Sequence, residues 1–217
     1  MRQVKVILIN CLVLFFIGMP SLLALGGIDT SKINSSVSTI KSLIDSREFT
    51  AAQRLSREII SQSQQTNYLQ GTAWGEYYIG YTYFELSNLD SAIYWTQKAL
   101  QDFKLGQNES AQIKAFCQLG NFHRRIDSND SSLQYYKLAI DLANDIEDSI
   151  GLADAYYGLG MSYVLIGQYS DAMELYIKAL TIRENLQDKF GVAAVLNSIG
   201  VLFWYQGDYS NALDFLL

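Results

Sequence analysis

The side chains in this 217-residue chain with most chemistry to offer are one histidine, two cysteines and an acidic run of Asp141, Asp145, Glu147 and Asp148. His123 could act as a base or metal ligand, but it has no second histidine to help it and a packing role suits it better. Cys11 lies inside an apolar stretch, which leaves Cys117 without a partner for a disulfide, so it reads as a small apolar filler. The acidic run lacks the alternating ligand positions and central glycine of a calcium loop and reads as a solvated face. No glycine-rich phosphate loop follows a strand, and no strand is expected at all. These residues predict neither an enzyme nor a bound cofactor or metal.

Composition points to a chain that folds. Hydrophobic residues make up 49%, charged residues 18%, and there is a single proline, which disfavours disorder and proline-rich linkers. Arg2 and Lys5 precede an apolar run from Val6 to Met19, then Pro20 and small residues at Ala24 and Gly26. Residues 1–26 therefore read as a secretory signal peptide, with an uncleaved membrane anchor as the alternative. Either way the remainder is expected outside the cytoplasm, in a periplasm or cell envelope. Removing Arg2 and Lys5 takes the formal charge from −6 to −8, which argues against nucleic acid as a partner.

The elements that must carry any site show up as a repeat. Gly80, Gly120, Gly160 and Gly200 recur every 40 residues, as do Ala52, Ala92, Ser132, Ala172 and Ala212, and Ile59, Ala99, Ala139 and Ala179. Small residues at fixed spacing mark close approaches of helices. Each unit carries two helical patterns. In the fourth, Leu152, Tyr156, Leu159 and Tyr163 share one face, then Ala172, Leu175, Tyr176, Ala179 and Leu180 another, with a turn at Gly167 between them. Thr50, Asp90, Asp130, Ser170 and Ser210 are expected to cap the second helices.

On these residues the chain resembles the tetratricopeptide repeat family. The fourth unit carries the pattern as Tyr156, Leu159, Gly160, Tyr163, Ala172, Tyr176 and Ala179. The fifth reads Leu196, Ile199, Gly200, Phe203, Ala212 and Leu216, and the second keeps Ile79, Gly80, Tyr83, Ala92 and Ala99. The third departs at His123 and Ser132, and the first is recognisable mainly at Phe49, Ala52 and Ile59, which suits a capping role. The resemblance implies an all-α fold, a right-handed α-solenoid of antiparallel helix pairs over residues 33–217, with about four and a half repeats. The family unit is about 34 residues. The excess here is expected in a longer second helix and connecting loop, as in long-repeat members of the family, taken here to be extracytoplasmic and bacterial. Leu217 falls within a second helix, so the sequence is expected to be a fragment.

The resemblance also implies a function: a scaffold that holds a protein or extended peptide in the groove lined by the first helices. Its groove positions fall on Trp74, Tyr77, Tyr81, Lys114, Asn121, Arg124, Tyr157 and Asn197. Aromatic anchors would flank a strip in which Lys114, Asn121 and Arg124 could hold a carboxylate. The complete basic clamp used by some family members for chaperone tails is not reproduced. An alternative is the outer sensor region of a membrane signalling protein, such as a histidine kinase or nucleotide cyclase. The membrane would then be met only through the N-terminal segment or a downstream span.

Overall fold

A computed structural model describes residues 30–216, and the expected signal segment lies outside them. Ten helices follow one another in the described residues: α1 Thr30–Asp45, α2 Phe49–Gln65, α3 Leu69–Glu85, α4 Leu89–Leu105, α5 Glu109–Arg125, α6 Asn129–Asp145, α7 Ser149–Leu165, α8 Tyr169–Asn185, α9 Lys189–Tyr205 and α10 Tyr209–Leu216. None is long and apolar enough to cross a membrane. Helices α2 to α9 each have 17 residues. The residues beyond the family unit are therefore shared equally by both helices of each pair, and the connections stay short, contrary to the expected longer second helix and loop.

One turn geometry repeats at all nine junctions. The backbone enters the left-handed region at residues 47, 67, 87, 107, 127, 147, 167, 187 and 207, with φ between 52° and 79°. The next residue's N–H donates back five residues, as from Asn88 to Tyr83 O at 2.8 Å and from Asp188 to Arg183 O at 2.9 Å. This closure satisfies carbonyls left free at the helix end. The same residue then serves as N-cap of the following helix, so helix stop and helix start share one position. Asn88, Asn108, Asp148, Asp188 and Asp208 accept a backbone N–H there. The expected caps Thr50, Asp90, Asp130, Ser170 and Ser210 lie two residues further on, inside the first turn. At Asp90 and Asp130 a negative charge still favours the helix N-terminus through its dipole.

Packing follows from the small residues. Ala52, Ala92, Ser132 and Ala172 are fully buried, as are Ala99, Ala139 and Ala179. A Cβ on Gly120 would stand 2.8 Å from the Tyr136 ring, and one on Gly160 would stand 2.7 Å from Tyr176. These glycines are where the aromatic side chain of the second helix needs the space. From α2 onward each helix packs on the next, and the first helices α3, α5, α7 and α9 also touch one another along the array. The second helices α4, α6 and α8 do not. The stack therefore closes on the side of the first helices and splays on the other, which gives an α-solenoid whose inner wall is built from first helices.

Candidate functional site

The inner wall holds a half-open cavity of about 750 Å³ between four successive first helices, α1, α3, α5 and α7. Trp74, Tyr77 and Tyr81 reach it from α3, Lys114 and Asn121 from α5, and Tyr157 from α7. Six of the eight residues expected in the groove thus line one space. Arg124 is half-buried beside it and donates to Asn121 Oδ1 at 2.6 Å. Asn197 lies further along, exposed on α9.

Aromatic rings form the firm part of the wall. Trp74 meets Tyr77 edge-on at 5.4 Å and Phe103 at 5.0 Å, so the pair is anchored in the core as well as facing the cavity. Burial pushes the Tyr77 hydroxyl up and that of Tyr78 up to about 12, so both stay neutral donors. The Tyr157 hydroxyl pairs with Ser198 Oγ at 3.0 Å, which fixes the ring at the cavity edge.

The polar part is asymmetric. Arg183, from the last turn of α8, forks between Asp154 and Asp188 at 2.6 Å each, and its guanidinium lies 5.9 Å from the Tyr157 ring centre. Burial raises the Asp154 carboxyl, while Arg183 and Lys114 pull it back. Lys114 itself is exposed and makes no ion pair among the described residues. Lys41 and Asp45 add one charge of each sign from α1.

Sequence reasoning missed Lys41, Asp45, Gln118, Tyr136 and Arg183. The first helix pair follows the family pattern too loosely to place α1, and Arg183 reaches inward from a second helix. Cys117 lines the cavity, where burial raises its thiol and holds it protonated. His123 stacks on Tyr135 at 5.2 Å, and burial lowers its pKa. Among the described residues, no group of three His, Cys, Asp or Glu side chains converges to hold a metal ion. The arrangement offers aromatic faces, hydrogen-bond donors and an exposed ammonium, which is equipment for holding a ligand.

A tetratricopeptide repeat family model matches residues 111–185. No curated protein matches the chain in sequence. Among solved structures, BtubC (BKLC) from P. vanneervenii is 19% identical with a TM-score of 0.71, over 87% of this chain and 80% of that one. A Rap protein complexed with Competence and Sporulation Factor is 14% identical with a TM-score of 0.72, over 83% of this chain and 50% of that one. Aspartyl phosphate phosphatase F from Bacillus subtilis is 12% identical with a TM-score of 0.70, over 83% and 47%. The chain spans about half the length of the last two. Together with the helix array, these likenesses establish a tetratricopeptide-like α-solenoid.

Proposed function

We propose that this chain is a binding scaffold that holds a protein segment or extended peptide along its inner wall, acting by presentation of a rigid surface and not by chemistry. The observation that carries this reading is the 750 Å³ cavity itself, in which the first helices α3, α5 and α7 contribute large aromatics beside the exposed Lys114. Tyr and Trp supply contact area at low entropic cost, and an exposed cation at their edge suits a carboxylate or acidic side chain. The similar Rap structure, which holds Competence and Sporulation Factor, supports a ligand-holding role for this kind of array. We place its work outside the cytoplasm, on the strength of Arg2, Lys5 and the apolar run Val6–Met19.

The test is selection of a random decapeptide library on the full chain, followed by fluorescence anisotropy of the retained peptides. Tyr157→Ala and Lys114→Ala should each weaken binding by about tenfold, equivalent to about 1.4 kcal/mol. Tyr94→Ala, on the outer helix α4, should leave it unchanged. The reverse pattern would place the interface on the outer face. The compartment is tested separately by fusing alkaline phosphatase after residue 30: activity in the envelope supports export, and an inactive cytoplasmic fusion sinks it.

A further inference from the structure

Some buried polar groups of the array find partners within it, whereas others, among them Ser63 Oγ, Thr96 Oγ1 and both ring nitrogens of His123, have none. Ser132 Oγ donates to Gly120 O at 2.8 Å and pairs with Ser162 Oγ at 2.9 Å, while Ser56 and Thr82 bond to their own helices. Gln118 belongs to the second group and stands at the inner wall. It is 7% exposed, it lines the inner cavity, and neither its Oε1 nor its Nε2 has a hydrogen-bond partner. Native structures seldom leave both ends of a buried carboxamide unmade, because each has lost its water without a replacement.

Its surroundings point the same way. Lys114, Gln118 and Asn121 follow one another at helical spacing along α5, on the face that lines the cavity, with Trp74 and Tyr77 from α3 and Tyr157 from α7 beside them. Asn121 Oδ1 is taken by Arg124. Gln118 is thus the member of the stripe whose donor and acceptor both lack a partner.

We propose that Gln118 is a specificity-determining residue of the inner wall and recognises an amide group of the bound peptide, with Nε2 donating to its carbonyl and Oε1 accepting its N–H. This rests on the peptide-holding reading and names what that peptide must bring. An amide matches because it offers one donor and one acceptor in a plane, the complement of a carboxamide. A carboxylate would set oxygen against Oε1, and an ammonium would leave Nε2 unmade. The amide can come from an Asn or Gln side chain of the peptide or from its backbone.

The experiment takes decapeptides selected on the full chain and measures their affinity for wild type, Gln118→Leu and Gln118→Glu, with thermal melts to show that each variant is folded. Gln118→Glu keeps the shape and replaces the donor by an acceptor. Both variants should lose about tenfold or more in affinity, since the peptide amide is then desolvated without its partner. If the source is a side chain, replacing one Asn or Gln of the peptide by Leu costs wild type the same factor and costs Gln118→Leu nothing. If it is the backbone, methylating one peptide nitrogen gives that pattern instead. Unchanged affinity in both variants, with peptide still retained, overturns the role of Gln118 and leaves the peptide reading standing. Retention of no decapeptide by wild type removes both.

Discussion

Two successive junctions of the array occupy the same backbone positions and divide their volume in opposite ways. At one, the Tyr136 ring from α6 fills the space left by Gly120 on α5 and Gly158 on α7. At the preceding one, Thr96 stands where Tyr136 stands, against Gly80, and the 40-residue register puts Gln118 where Gly158 stands. A large residue meets a small one in both cases, so helix spacing is kept while chemistry is exchanged. The Tyr136 junction is sealed by an aromatic ring. The other keeps Thr96 Oγ1 and both Gln118 amide atoms buried without partners, with Gln118 at the cavity wall. The fold thus tolerates a polar junction at a site where an apolar one is available.

The largest effect comes from forcing both large residues into one junction. Gly158→Gln alone drives a side chain into Tyr136 and should cost about 3 kcal/mol or more, at the upper end of overpacking. Adding Tyr136→Thr copies the preceding junction and should recover part of that loss in urea unfolding at unchanged slope. A double variant no more stable than the single one would mean that the two junctions are not interchangeable.

The same pair of repeats differs again inside the helix pairs. Glu76 on α3 is fully buried, with Lys98 of α4 at 2.6 Å from Oε1, whereas the register places Phe116 and Leu138 at these positions one repeat later. Lys98→Leu strands the carboxylate and should cost about 2 kcal/mol, below the usual figure for a broken buried pair because Lys98 is partly in water. Importing both apolar residues, Glu76→Phe with Lys98→Leu, should leave stability near wild type or above it. Burial raises the Glu76 carboxyl above 4.5, with Asp102 adding to the rise and Lys98 pulling it back. A raised carboxyl contributes stability that is full below pH 4.5 and is lost as pH climbs through the folded value. Glu76→Gln should therefore gain on wild type as pH rises from 4 to 7, and a parallel pair of stability curves over that range would contradict the shift.

A smaller change tests whether the open amide is kept for binding at the expense of the fold. Gln118→Leu removes two unmade buried polar atoms and should stabilise the protein by about 1–2 kcal/mol. A melting temperature equal to or below wild type would show that Gln118 is satisfied by ordered water. That outcome would weaken the comparison between the two junctions.

The architecture was legible in the sequence because it depends on recurring small residues. Gly80, Gly120 and Gly160 could be read as close approaches, and Ala92, Ser132 and Ala172 as the buried stripe, without knowing what faced them. Cap positions were misplaced by two residues, since Thr50 and Asp90 suit a first turn as well as a cap, and only the backbone decides. In the cavity, residues on the first helices of well-formed units were legible through the resemblance, from Trp74 to Tyr157. Gln118 was not, because its meaning depends on Thr96 being small one repeat earlier. Arg183 was hidden too, since it reaches the wall from the end of a second helix.

The smallest expected effect concerns the turns, where Gly167 and Gly207 occupy the left-handed position and the other seven junctions use side chains, among them Glu147 and Gln187. A Cβ in that region costs about 1–2 kcal/mol, while glycine loses more freedom on folding, which offsets about half of the gain. Glu147→Gly and Gln187→Gly should each stabilise the array by about 0.5–1 kcal/mol. Asn67→Gly should do less, because asparagine already tolerates this conformation. Equal shifts for all three in urea unfolding would show that chain entropy, and not the local strain of a Cβ, sets the balance at these turns.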